Sequence, residues 1–205
     1  MNSSAFSTLF LDVGGVLLTN GWDRHGREEA IKRFNLDAVE VNERHALAFD
    51  TYEVGHLTLD EYLDYTVFYQ SREFTLEQFK EFMFSRSQPL EMLEYIRQLK
   101  QQKKLKVVAV SNEGRELVEY RIRTFQLDQI FDLFVFSSFI HLRKPDPLFY
   151  KLALDLSYTQ PEQVIYIDDR PLLAETGKNI GFHAICHKNL ATTKAELESV
   201  FIHNH

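Results

Sequence analysis

A chain of 205 residues, 44% hydrophobic and 26% charged, has the size and composition of one globular domain with room for an inserted subdomain. It is not that of a disordered, collagen-like or coiled-coil protein. Lys and Arg number 23 against 30 Asp and Glu, a net charge of −7, so the chain has no general field to hold nucleic acid or an anionic membrane, and a phosphate would need a local site. The single cysteine, Cys186, cannot form an internal disulfide; with no basic leader ahead of Asp12 and no apolar run near ~18 residues, a soluble cytoplasmic protein is expected.

In chain order, the first apolar run is Ser7 to Val13, read as a strand. Residues 21–88 follow with helical signals only, for example Leu59 to Tyr69 and Leu76 to Phe84. Leu90 to Gln102 carries Met92, Leu93, Ile96 and Leu99 at helical spacing, with Pro89 placed as a first-turn residue. A strand at Leu105 to Val110, a helix at Glu113 to Phe125 and a weaker strand at Leu133 to Phe136 come next. The chain then reads as a helix from Pro147 to Leu156, a strand from Val164 to Ile167, a helix from Pro171 to Asn179 stopped by Gly181, and a strand from His183 to Cys186. Runs apolar on both faces, alternating with helices, predict an α/β fold with a doubly wound parallel sheet. The predicted organisation is a core of residues 1–20 and 89–205, with residues 21–88 inserted as a helical cap over the sheet edge. Open α/β sheets bind ligands beyond the carboxyl ends of their strands, which is where such a cap would lie.

Polar residues collect at those ends. The first strand runs into Asp12, Val13, Gly14 and Gly15, the second into Ser111 and Asn112, and the fourth into Asp168 and Asp169. Arg143-Lys144-Pro145-Asp146-Pro147 precedes the helix after the weaker strand. In a parallel sheet all these ends point one way. Asp12, Asp168 and Asp169 crowded together repel unless a cation sits among them, and hard oxygen donors without His or Cys favour Mg²⁺ over zinc. Lys144, Ser111 and backbone N–H groups at the following helix suit an oxyanion or phosphate. Gly14 and Gly15 let a ligand approach the backbone closely. A metal beside a phosphate leaves one carboxylate free to attack phosphorus, giving an aspartyl-phosphate.

These residues resemble the haloacid dehalogenase-like hydrolases, in a small helical-cap, phosphatase-type form with a DxGG nucleophile motif. Asp12-Val-Gly-Gly-Val matches the nucleophile motif, Ser111 the second, Lys144-Pro-Asp-Pro the third and Asp168-Asp169 the fourth, in order along the whole chain. The resemblance implies a Rossmann-like sheet, Mg²⁺ and a covalent aspartyl intermediate. Asp12 would be the nucleophile, Ser111 with Asn112 the phosphate ligands, and Lys144 the charge balance on nucleophile and phosphate. Asp169, with Asp168 directly or through water, would hold Mg²⁺ together with Asp12 and the backbone carbonyl of Gly14. Two departures stand out. The family's phosphatases commonly carry an Asp as general acid/base two residues after the nucleophile, where this chain has Gly14; water, a cap residue or a low-pKa leaving group would have to substitute. Leu173 occupies a position where related sequences often place Asn or Asp.

The leading expectation is a Mg²⁺-dependent phosphatase acting on a small phosphomonoester, a sugar or nucleotide phosphate. One alternative is a 2-haloacid dehalogenase-type hydrolase using the same aspartate without metal. Another is a catalytically lapsed fold that acts as a binding protein. Trp22, Asp23, Arg24 and His25 are the specificity candidates, where the chain enters the cap. Tyr62, Tyr65 and Tyr69, with Phe68, Phe79 and Phe82, read as core packing, Cys186 as a buried small residue, and His203 and His205 as a fraying tail.

Overall fold

The computed structural model describes residues 6–202; His203 and His205 lie outside them. Five strands form one parallel sheet: β1 (Thr8–Leu11), β2 (Lys106–Ser111), β3 (Leu133–Phe136), β4 (Val164–Asp168) and β5 (His183–Cys186), in the order β3-β2-β1-β4-β5. Among the described residues the α-helices are α1 (Arg24–Arg33), α2 (Ala38–Glu53), α3 (Leu59–Thr66), α4 (Leu76–Ser85), α5 (Glu91–Gln102), α6 (Arg115–Phe125), α7 (Ser137–Ile140), α8 (Pro147–Ser157), α9 (Pro171–Ile180) and α10 (Leu190–Ile202). None is long and apolar enough to cross a membrane.

The strand sequences explain the two-layer cover. Side chains alternate between sheet faces, so Leu9, Leu11, Val107, Ala109, Ile165 and Ile167 share one core with α5, α6 and α10, through Ile96, Val118 and Leu197. Phe10, Val108, Val110, Val135 and Tyr166 share the other with α8, through Phe149, Tyr150 and Ala153. The strand order reverses between β1 and β4, which opens a crevice at their carboxyl ends. The sheet is the Rossmann-like, doubly wound arrangement that the sequence predicts.

Helices α1 to α4 lie between β1 and α5 and bury their own apolar cluster, with Trp22, Tyr62, Leu63, Phe79 and Met83 at its centre and Leu117 of α6 joining it. Thr58 with Glu61 and Thr75 with Gln78 start α3 and α4 as capping boxes. Tyr62, Phe79 and Phe82 are core, whereas Tyr65 is exposed and Tyr69 lies under the guanidinium groups of Arg44 and Arg72. Helix α3 ends at Thr66, short of the expected Tyr69. The Phe68 N–H donates back to Leu63 O and Arg72 Nε donates to Val67 O, so the last carbonyls are satisfied without a further turn. Pro89 is likewise not in the first turn of α5: Leu90 is the N-cap, and Pro89 bridges to Leu18.

The two crossings between sheet and insertion are stitched to each other. Thr19 N donates to Gln88 O and Leu90 N to Leu17 O, while the Thr19 hydroxyl donates to Arg86 O and accepts from Gln88 N. A second joint lies at the end of α2. Ser137 Oγ donates to Glu53 O at 2.6 Å, His141 Nδ1 bonds Val54 O at 2.8 Å, and Arg143 pairs with Asp50 and Glu53. Between them, the Tyr52 ring lies directly over Gly114, where a Cβ would sit well inside van der Waals contact with the ring. Gly114→Ala should therefore push Tyr52 out of place and cost about 1–3 kcal/mol, read as a lowered midpoint in urea denaturation; unchanged stability would mean that the joint is loose.

Candidate active site

Register sets the site. Leu11 pairs with Ile167 across β1 and β4, so the next residues along each chain, Asp12 and Asp168, leave the sheet side by side, and Ser111 ends neighbouring β2. Asp12 is buried and its Oδ1 accepts from Ser111 Oγ at 2.6 Å and Val13 N at 3.0 Å. Lys144 Nζ lies 3.2 Å from the same oxygen and 2.6 Å from Asp168 Oδ2. Asp168 is fully enclosed: Oδ2 also accepts from the Tyr166 hydroxyl at 2.5 Å, and Oδ1 from Arg170 N at 2.9 Å.

Burial is the main influence on Asp12 and pushes its carboxyl up to about 6; Lys144 and Ser111 oppose the rise, while Asp168 and Asp169 add to it. Burial alone would lower Lys144, but Asp12 and Asp168 outweigh it and hold the ammonium above its ordinary range. Asp169 is raised by burial and by Asp168. The cluster is thus one cation shared between Asp12 and Asp168, with Asp169 beside them outside that pairing.

The donor set fits a hard divalent cation. Asp12, Asp168 and Asp169 each offer a carboxylate oxygen, and these lie within 4.8 Å of one another. Asp169 Oδ1 is buried with no hydrogen-bond partner, and oxygens alone suit Mg²⁺ better than zinc. Asp168 Oδ2 is engaged by Lys144 and Tyr166 and its Oδ1 by Arg170 N, so Asp168 has less capacity left for an ion than Asp169, whose Oδ1 has no partner. At Gly15, with φ of +75°, a Cβ would overlap the Asp169 carboxylate, which explains that glycine.

A cavity of about 210 Å³ opens over Asp12, lined also by Gly14, Ser111 and Lys144. Trp22, Asp23 and Arg24 face it as well, but His25 does not; its ring pairs with Glu29 on the exposed side of α1. Asn112 borders the cavity, yet its side chain is spent on the Lys144 backbone, donating to the carbonyl at 3.0 Å and accepting from the N–H at 2.8 Å. Its side chain therefore fixes the lysine loop, leaving only its backbone for a phosphate. Leu173 is buried against the cavity, and Cys186 is half-buried at the end of β5, with Sγ near the Asp169 carbonyl.

Sequence reading missed several residues here. Glu113 and Arg121 form a buried ion pair at 2.6 Å, and Arg121 also donates to Ser87 Oγ and Thr19 O. The signal was present: Arg121 falls on the apolar stripe of α6 beside Leu117 and Val118, and a buried arginine needs an acid. Asn20 fills the space beside Gly14, where a Cβ would lie 2.8 Å from its Oδ1. Arg27, Tyr52, Glu53 and Arg170 complete the wall.

The sequence profile described as Haloacid dehalogenase-like hydrolase matches residues 28–186, well over half of the chain. The chain belongs to that family of hydrolases. The match covers Ser111, Lys144, Asp168 and Asp169 and begins after β1, so it does not include Asp12. Phosphorylated carbohydrates phosphatase of Thermotoga maritima is 33% identical over 96 residues, 46% of this chain and 42% of that protein. Bifunctional epoxide hydrolase 2 of Rattus norvegicus is 31% identical over 75 residues, 37% of this chain and 14% of that protein. The matched segments thus span less than half the length of either relative. Among solved structures, a haloacid dehalogenase-like family enzyme from Bacteroides thetaiotaomicron, in complex with magnesium and inorganic phosphate, superposes with a TM-score of 0.76 at 21% identity, over 90% of this chain and 96% of that one. An L-2-haloacid dehalogenase from Xanthobacter autotrophicus gives 0.60 at 15% identity, over 86% and 75%. At these identities the likeness is one of fold.

Arg121→Met in this hydrolase should leave Glu113 buried without its counter-charge and cost about 3–5 kcal/mol. Adding Glu113→Gln should recover much of that loss in urea denaturation; an undisturbed single variant would show that the pair is dispensable.

Proposed function

We propose that this hydrolase is a Mg²⁺-dependent phosphatase of small phosphomonoesters, sugar or nucleotide phosphates, working through an aspartyl-phosphate. The observation that carries this reading is that Asp12, Ser111 and Lys144 line one cavity, with Asp168 and Asp169 gathered against Asp12. Three donors hold Asp12 Oδ1 and so fix the direction in which the carboxylate meets phosphorus. Asp12 attacks phosphorus, the bond to the ester oxygen breaks, and water then hydrolyses the acyl phosphate, returning the carboxylate and releasing inorganic phosphate. Ser111 Oγ and Lys144 Nζ reach the same carboxylate oxygen and are placed to stabilise charge on the transferred group. Asp12, Asp169 and the Gly14 carbonyl would hold Mg²⁺, which supplies positive charge against the phosphoryl oxygens.

The inserted helices act in this reading as a cap, residues 21–88 over a core of 1–20 and 89–205, and the small cavity limits substrate size. The relation to a carbohydrate phosphatase supports the sugar-phosphate arm. Dehalogenation by Asp12 needs no metal, and the unpartnered Asp169 oxygen weighs against it.

Phosphate release from a panel of sugar and nucleotide monoesters, with Mg²⁺ or EDTA, tests the proposal. Turnover should require Mg²⁺, and Asp12→Asn should abolish it while the protein stays folded. Turnover in EDTA, or an active Asp12→Asn variant, would overturn it; halide release from 2-haloacids without metal would favour the dehalogenase.

A further inference from the structure

The proposed phosphatase lacks a proton donor at position 14. Asn20 occupies the space that an acid there would need, so any group that protonates the leaving oxygen must come from another wall of the cavity. Besides Asp12, the carboxylates lining it are Asp23, Glu53 and Glu113. Asp23 is the N-cap of α1 and accepts from Gly26 N at 2.8 Å. Glu113 is held at 2.6 Å by Arg121, itself locked by Ser87 and Thr19, which keeps that acid a bound acceptor.

Glu53 is different. It closes α2, is nearly enclosed, and has Arg143 Nη2 2.8 Å from its Oε2, yet that oxygen makes no well-aligned hydrogen bond. Its main chain is fastened to the sheet side by Ser137, and the next carbonyl by His141. A carboxyl on the insertion is thus held at the cavity wall by the core itself. We infer that Glu53 is the general acid/base of this hydrolase, donating a proton to the ester oxygen as Asp12 attacks and removing one from the water that opens the aspartyl-phosphate.

The electrostatics fit that duty. The charged groups facing Glu53 are Arg143 and Arg170, which lower it, and Glu113 and Asp50, which raise it; burial, the largest influence, prevails and carries it to about 7. A carboxyl poised there exchanges protons readily near neutrality. The inference rests on the phosphatase reading of the same cavity.

The test compares an alkyl phosphomonoester such as a hexose phosphate with 4-nitrophenyl phosphate, whose leaving group needs no proton, in excess Mg²⁺. Glu53→Gln should lower kcat/KM for the alkyl ester by about 10²–10⁴-fold and for the nitrophenyl ester by roughly tenfold or less. Nitrophenolate should then appear in a burst, because the second step also loses its base. For the native chain, kcat/KM on the alkyl ester should fall above about pH 7 as Glu53 loses its proton, and this limb should be missing for the nitrophenyl ester. Equal losses on both esters, or an unaltered pH profile in Glu53→Gln, would make Glu53 a structural partner of Arg143 and overturn the inference. Should Glu53→Gln fail to fold, the native pH comparison decides: the same limb on both esters, or none on either, rejects it. A native chain that turns over neither ester refutes the phosphatase reading itself, whereas turnover indifferent to Glu53 refutes this inference alone.

Discussion

An ammonium group enclosed between two carboxylates is the constraint on which this structure turns. Lys144 lies 2.6 Å from Asp168 and 3.2 Å from Asp12, and it is the counter-charge that both buried carboxylates share. Much of the surrounding framework serves to keep this lysine in place. Asn112 grips its backbone from both sides, Tyr166 and Arg170 N also donate to Asp168, and parallel register brings β1 and β4 to the same height. Asp169 is left with an unanswered oxygen, so the charge balance is complete on one side of Asp12 and open on the other.

The insertion meets this cluster through ionic and polar contacts as well as apolar ones. Arg143, next to Lys144 in the chain, pairs with Asp50 and Glu53 at the end of α2, and Tyr52 packs on Gly114 just past Ser111. Leu117 joins the insertion's apolar cluster from α6. Residues that join the two layers are thus close in sequence to Lys144 and Ser111 of the cavity, and the cavity is built as a joint between two layers.

The sheet and its reactive rim were legible because each signal is local. A short run of β-branched and aromatic residues ending in polar residues, acid at Asp12 and Asp168 and hydroxyl at Ser111, says both strand and strand end, and such ends in a parallel sheet share a rim. What was not legible depends on distant partners. Asn112 carries a phosphate-binding pattern in sequence, but its amide is claimed by a loop thirty-two positions away. The early end of α3 depends on Arg72 folding back onto Val67, and Pro89 is drawn into a bridge by Leu18. Helices α1 and α2 gave little warning because few of their residues are buried, so their apolar stripes are thin. Nothing in the sequence around Glu53 sets it apart; only the packing of α2 against the core takes it out of water.

The stitched crossings at Thr19 and Gln88 have a consequence for how such a chain can diversify. Because the polypeptide leaves and rejoins the sheet at one neck closed by its own hydrogen bonds, the length and content of the excursion are uncoupled from strand register. The excursion and the sheet then meet again at a second seam, where Arg143, Ser137, His141 and Tyr52 join the end of α2 to the core.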